Sequence, residues 1–198
     1  MITRIQVWSC LTAILLLAPW YTKAQTEAED HDLEFEEKLK IDSLALEKVK
    51  DLKAYIRIIG SKETSFSEAS RVIDRALELF SEGSVVGVSS LGSDEVQTYE
   101  MRKYFERLMA LNYDQVEIDW YDIQYISDLE MTPDGKYVGV ITIFQRFQGS
   151  IGDKLMYKDV TKKDITVFVE KKQMQIDGDI IDFWDVLLGD IVVSETTS

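Results

Sequence analysis

The chain has 198 residues, with 36 Asp and Glu against 22 Lys and Arg, one cysteine and one histidine, and a formal net charge of -14 at pH 7. Such a surface repels phosphate backbones, and the basic runs Lys158, Lys162-Lys163 and Lys171-Lys172 are each interleaved with acids, so nucleic-acid binding is set aside. The charge reads instead as a solvated, self-repelling surface that keeps the protein soluble.

Arg4 supplies a positive start, and Leu11-Thr12-Ala13-Ile14-Leu15-Leu16-Leu17-Ala18 forms an apolar core too short for an ordinary membrane span. Pro19 breaks that run and Thr22-Lys23-Ala24 offers a cleavage boundary, so residues 1–24 are expected to be a signal peptide and the protein to be exported, periplasmic or extracellular. The alternative, an uncleaved anchor, asks for a longer apolar stretch without the proline. N-terminal sequencing of exported protein is expected to return Gln25, and recovery of Met1 would refute the boundary. Cleavage removes Arg4, Lys23 and Cys10, moving the charge from -14 to -16 and leaving no thiol for a disulfide, a thiolate metal site or a cysteine nucleophile.

Residues 25–32 are acidic, polar and aperiodic, a flexible leader that contains His31. A histidine in that setting lacks the packed surroundings that ligation or acid-base work requires, so triads and histidine-bound zinc are not expected. No cofactor and no metal is expected. Asp134-Gly135 and Asp177-Gly178-Asp179 read as turns, since calcium loops need a longer fixed ligand spacing.

From residue 33 the period becomes helical. Phe35, Leu39, Leu46, Val49 and Ile56, with Leu44, Leu52, Tyr55 and Ile59 beside them, predict a long helix that ends at Gly60, within a segment spanning 33–62. Ser65-Phe66-Ser67-Glu68 has the form of a capping box, followed by Ala69, Val72, Ile73, Ala76, Leu77 and Phe80 at helical offsets. Val85-Val86-Gly87-Val88 predicts a brief strand. Asp94, with Gln97 three residues on, predicts the start of a third helix through Val96, Tyr99, Met101, Tyr104, Phe105, Leu108 and Leu111.

Beyond Tyr113 the period changes to two. Val116, Ile118 and Trp120 alternate with Glu117, Asp119 and Tyr121 in a strand expected to run on irregularly to Ile126. Thr132-Pro133-Asp134-Gly135 predicts a turn into a strand over Tyr137–Phe147; Ile165-Val167-Val169 and Ile180–Val193 predict two more, with a bulge at Gly189-Asp190. Helices first and strands after define an α+β fold, with N-terminal helices packed on a curved antiparallel sheet.

Over 63–198 this order resembles the nuclear transport factor 2-like superfamily, also called ketosteroid isomerase-like or SnoaL-like. The resemblance is carried by Ala76-Leu77-Glu78-Leu79-Phe80, by Val85-Val86-Gly87-Val88, by Met101-Arg102-Lys103-Tyr104-Phe105-Glu106-Arg107-Leu108 and by Trp184-Asp185-Val186-Leu187-Leu188-Gly189-Asp190-Ile191. It implies a cone-shaped, cystatin-like roll with an apolar pocket at its wide end. The long first helix exceeds that pattern, as an added element or a partner-binding arm.

Enzymes, assembly modules and carriers share such folds, so the site decides. Ketosteroid isomerase-like members use a pocket carboxylate with a tyrosine donor; the candidates are Asp119 and Asp122 with Tyr121, Tyr125 and Tyr137. Strand alternation, however, turns Asp119 and Tyr121 away from the face of Ile118 and Trp120, toward solvent. Trp120, Tyr125, Phe168 and Trp184 are candidate pocket residues, against the alternative that aromatics of this kind simply pack the core. Phe144 and Arg146 share the outer parity of their strand and are interface candidates, because arginine and aromatics are enriched at interface hot spots. The expected function is a non-catalytic envelope module binding a protein partner or a second copy through its sheet face. The alternatives are an apolar small-molecule carrier and an isomerase or lyase with an Asp/Tyr pocket.

Overall fold

The computed structural model describes residues 33–89, 95–124 and 126–197; the expected signal peptide and leader, with Cys10 and His31, and also Asp94 and Tyr125, lie outside the described residues. Among the described residues the fold is α+β, three helices on a seven-stranded sheet.

Helix α1 (Phe35–Gly60) buries Ile41, Ala45, Val49, Leu52, Ile56 and Ile59, a seam that advances by four and three. The expected stripe began on a different face: Phe35 and Leu39 are exposed, because at 3.6 residues per turn Leu39 is rotated about a third of a turn from the seam. Small Ala45 occupies the position where larger Leu44 and Leu46 suggested the seam should run. This seam belongs to the main core cluster, so α1 packs into the domain's interior. Helix α2 (Phe66–Leu77) starts where Ser65 Oγ accepts from the Glu68 amide at 3.3 Å, and it buries Ala69, Ile73 and Ala76. The chain then turns so that the Leu188 amide donates to Leu79 O at 2.8 Å and the Ser81 amide donates to Leu188 O at 2.7 Å.

Strand β1 (Val85–Val88) pairs with β2 (Gln97–Glu100), and helix α3 (Met101–Met109) follows directly. Here the expected helix from Asp94 is corrected. Gln97 to Glu100 lie antiparallel to β1, where Thr98 and Tyr99 suit a strand, and the helix begins only at Met101. Strand β3 is Gln115–Tyr121, shorter than expected because Asp122 adopts φ 47 and ends the extended run. Strand β4 (Glu130–Met131) turns through Thr132-Pro133-Asp134-Gly135 into β5 (Tyr137–Ile151), with the Gly135 amide donating to Thr132 O at 2.9 Å. Strand β6 (Lys154–Ile176) is far longer than predicted, β7 (Asp179–Thr197) covers the expected Ile180–Val193 with a few residues more, and the two meet at the Asp177-Gly178 turn, where both residues have positive φ.

The sheet order is β2-β1-β7-β6-β5-β3, with β4 on the edge of β5. It is mixed, not wholly antiparallel as expected, because β1 lies parallel to β7. A bulge joins them. Ile165 faces Ile191 and Val167 faces Leu188, so two steps on β6 span three on β7 and the extra residue falls at Gly189-Asp190. That extra residue turns Asp190 toward β1, and its Oδ1 accepts from the Val85 amide at 2.9 Å. Among the described residues no helix is long and apolar enough to cross a membrane.

Candidate functional site

The inner face of β6 changes character along its length. Alternate residues from Asp159 to Val169 are all buried; Ile165, Val167 and Val169 continue the apolar core, whereas Asp159, Thr161 and Lys163 carry polar groups inward at 5 %, 3 % and 3 % exposure. Register places Lys163 opposite Ile143, Thr161 opposite Gln145 and Asp159 opposite Phe147 on β5, with Trp120 and Ile118 of β3 next to Gln145 and Phe147. The core sheet thus has a polar floor at one end.

Over this floor lies a cavity of about 280 Å³, walled by Tyr104 and Leu108 of α3, by Leu111 and Tyr113 after it, and by Val88 and Tyr99 of the β1–β2 pair. Trp120 does not line the cavity but fixes it, since its Nε1 donates to Gln145 Oε1 at 3.1 Å and so orients the Gln145 amide. Gly149 has a specific role at the rim. A Cβ there would stand 2.8 Å from the Tyr113 ring, so glycine is what lets this ring lie flat on the sheet. Gly149→Ala is expected to push Tyr113 out of place, altering cavity binding and costing about 1–3 kcal/mol in urea denaturation; unchanged binding and stability would refute the contact.

The electrostatics follow from burial. Desolvation pushes the Asp159 carboxyl above the usual range, against a Tyr157 hydroxyl that donates to Oδ2 at 2.8 Å and the more distant positive charge of Lys163. Asp159 Oδ1 is buried with no hydrogen-bond partner among the described residues. Desolvation lowers Lys163 to about 8, the Asp159 charge opposing it only in part, and the Lys163 ammonium sits 5.9 Å from the Tyr104 ring centre. Burial also raises Tyr104 to about 12. Near the opening, the Arg107 guanidinium lies 4.6 Å over the Tyr99 ring.

The candidates from sequence fall elsewhere. Phe168 has the opposite parity and borders a separate cleft with Ser81 and Leu187, while Trp184 packs edge-on against Tyr137 at 6.1 Å beside the start of α1. Asp119 is a surface group: 54 % exposed, it pairs with Lys53 at 2.7 Å, and that hydrogen bond holds its carboxyl below the usual range. Asp122 is exposed and Tyr137 is buried away from the cavity. Phe144 and Arg146 share one patch on the outer face, where Phe144 stacks on Tyr121 at 5.8 Å and Arg146 lies 5.1 Å over the same ring. Asp159 and Lys163 were missed because their charges read as surface. The available signal was parity, since counting back by two from Ile165 reaches both.

Comparison with known protein families, with curated proteins and with solved structures returns no match. Among the described residues no three His, Cys, Asp or Glu side chains gather as a metal site.

Proposed function

We propose that this chain is a small-molecule-binding protein, acting outside the cytoplasm, whose ligand occupies the cavity between α3 and the inner ends of β3, β5 and β6. The observation that carries this reading is the buried pair of Asp159 and Lys163 at the base of a cavity walled largely by aromatic and aliphatic side chains. Buried charges are costly, and a fold that needed only stability would have filled these positions with apolar groups, as it does two residues further along the strand. The volume sits near the lower end of the roughly 300–1,000 Å³ typical of ligand pockets, which favours a compact molecule over a long lipid.

The nuclear transport factor 2-like reading is supported by the order of helices and strands and by a pocket between them. Within that reading, a buried carboxylate beside a tyrosine hydroxyl is what the isomerase or lyase alternative asks for, and Asp159 with Tyr157 takes those places instead of the Asp119 and Tyr121 first considered. The binding test uses 1-anilinonaphthalene-8-sulfonate, an aromatic anion whose emission rises in apolar sites. Wild-type protein is expected to enhance it saturably, and Leu111→Trp, which adds bulk in a wall outside any helix or strand, is expected to reduce that affinity at least fivefold. Equal binding by both proteins would refute the cavity as the site.

Protein binding through the sheet's outer face is the second reading, favoured by the Tyr121, Phe144 and Arg146 cluster. Sedimentation of Phe144→Asp against wild type tests its homodimeric form; equal sedimentation with a monomeric wild type would remove it.

A further inference from the structure

The cavity floor presents two charged groups, one of which has an oxygen without a hydrogen-bond partner among the described residues. Asp159 Oδ1 has no donor among the described residues, although Oδ2 of the same carboxylate is held by Tyr157. Lys163, on the same floor, brings its ammonium to 5.9 Å from the centre of the Tyr104 ring. Buried polar groups are nearly always paired, so Asp159 Oδ1 points to a bound donor, and Lys163 on the same floor offers a charge to an acceptor on the same molecule. The two groups differ in what they need. Lys163 requires an acceptor and Asp159 Oδ1 requires a donor.

Their spacing adds a second condition. Four residues apart on one strand face, Asp159 and Lys163 both line the cavity and feel each other's charge without forming a direct ion pair. Thr161 and Gln145 face each other in that interval, both buried. A ligand that carries both a donor and an acceptor serves both charges, whereas a simple acid or a simple amine satisfies only one. The walls set the body of the ligand: Tyr99, Tyr104, Tyr113, Phe147 and Tyr157 offer ring faces and edges to a flat apolar group.

We propose that the cavity takes a small aromatic α-amino acid or α-hydroxy acid, with its carboxylate on Lys163 and its amino or hydroxyl group on Asp159. This rests on the small-molecule reading above and narrows it to one class of ligand. The carboxylate gains a charge-assisted bond in a dry site, and the ammonium or hydroxyl completes the Asp159 carboxylate.

The test is isothermal titration calorimetry on the full chain with five probes that share one ring system: L-tryptophan, indole-3-lactate, indole-3-propionate, tryptamine and 3-methylindole. Tryptophan and indole-3-lactate are expected to bind at least about tenfold more tightly than the single-function probes, the separation expected when one hydrogen bond to a charged group is lost. The ring alone is expected to bind weakest. Lys163→Met is expected to erase the advantage conferred by the carboxylate, and Asp159→Asn the advantage conferred by the amine or hydroxyl. Should either variant fail to fold, the ranking on wild-type protein still decides. If all five bind alike, water or rearrangement satisfies the two groups and the proposal falls, while the cavity reading stands on its dye titration. If neither the probes nor the dye bind, both fall.

Discussion

Replacing Lys163 with methionine is expected to stabilise the fold by about 1–3 kcal/mol at pH 7, in spite of removing a buried charge that has an acid in its neighbourhood. Burial lowers this lysine from 10.5 to about 8, which corresponds to a penalty on the charged form of about 3 kcal/mol. The opposing attraction to Asp159 is the smaller effect, because no ion pair forms directly and Lys163 is the weakest of the influences on Asp159 itself. Methionine keeps the straight chain and its packing while removing the penalty. The pH dependence gives an independent check on the sign. Between pH 8 and 10.5 the unfolded lysine holds its proton and the folded one has released it, so the unfolded state binds more protons and wild-type stability rises with pH across that window. Urea denaturation at steps through the window should show the rise in wild type and its loss in Lys163→Met. A variant less stable than wild type at pH 7 would mean that the ammonium is paired and contributes to the fold. The stabilised variant is expected to lose carboxylate binding, the usual relation between a binding group and the stability it lowers.

The fold was legible in the sequence wherever local period and turn chemistry act together. Ser65 caps α2 because a serine oxygen can accept from an amide three residues on, and Thr132-Pro133-Asp134-Gly135 turns because proline and glycine supply the two backbone conformations the corner needs. The bulge at Gly189-Asp190 was readable for the same reason, since glycine interrupts an alternating run. Strand β2 was not, because capping-box spacing competes with strand preference over four residues and only the pairing with β1 decides it. The length of β6 was hidden as well: beyond the core the hairpin exposes both faces, so Lys171 to Ile176 has no burial-driven alternation to read.

The site was least legible because a buried charge breaks the rule by which burial is read. Lys162 and Lys163 are adjacent and identical in type, yet only Lys163 shares the inward parity of Ile165. Had the alternation been carried past the last apolar residue, it would have placed Asp159, Thr161 and Lys163 on the core face, and a polar trio there is a reason to expect a cavity. The tryptophans misled in the other direction. Their size suggested a pocket lining, but Trp120 serves beneath the floor and Trp184 lies at the far end of the sheet.

That difference between the two tryptophans gives the other large effect, a loss of about 3–5 kcal/mol in Trp120→Ala against a clearly smaller loss in Trp184→Ala. Trp120 is 3 % exposed, sits in the main core cluster and donates to Gln145, so truncation leaves a large void and also deprives a buried amide oxygen of its partner. Trp184 is only partly buried; it packs against Tyr137 and lies under the Lys171 ammonium, contacts that solvent and neighbouring side chains can partly replace. A domain of this size has about 5–15 kcal/mol of stability in total, so Trp120→Ala should approach the limit of folding, and Trp120→Phe serves as the milder companion. Phenylalanine fills most of the volume but donates nothing, and it is expected to cost less stability while freeing the Gln145 side chain to turn in the cavity. Urea denaturation orders the three variants, and titration of the folded Trp120→Phe protein with L-tryptophan reports the floor. Equal losses for the two alanine variants would place Trp184 in the core as deeply as Trp120, and ligand affinity unaltered in Trp120→Phe would show that Gln145 keeps its orientation without the indole.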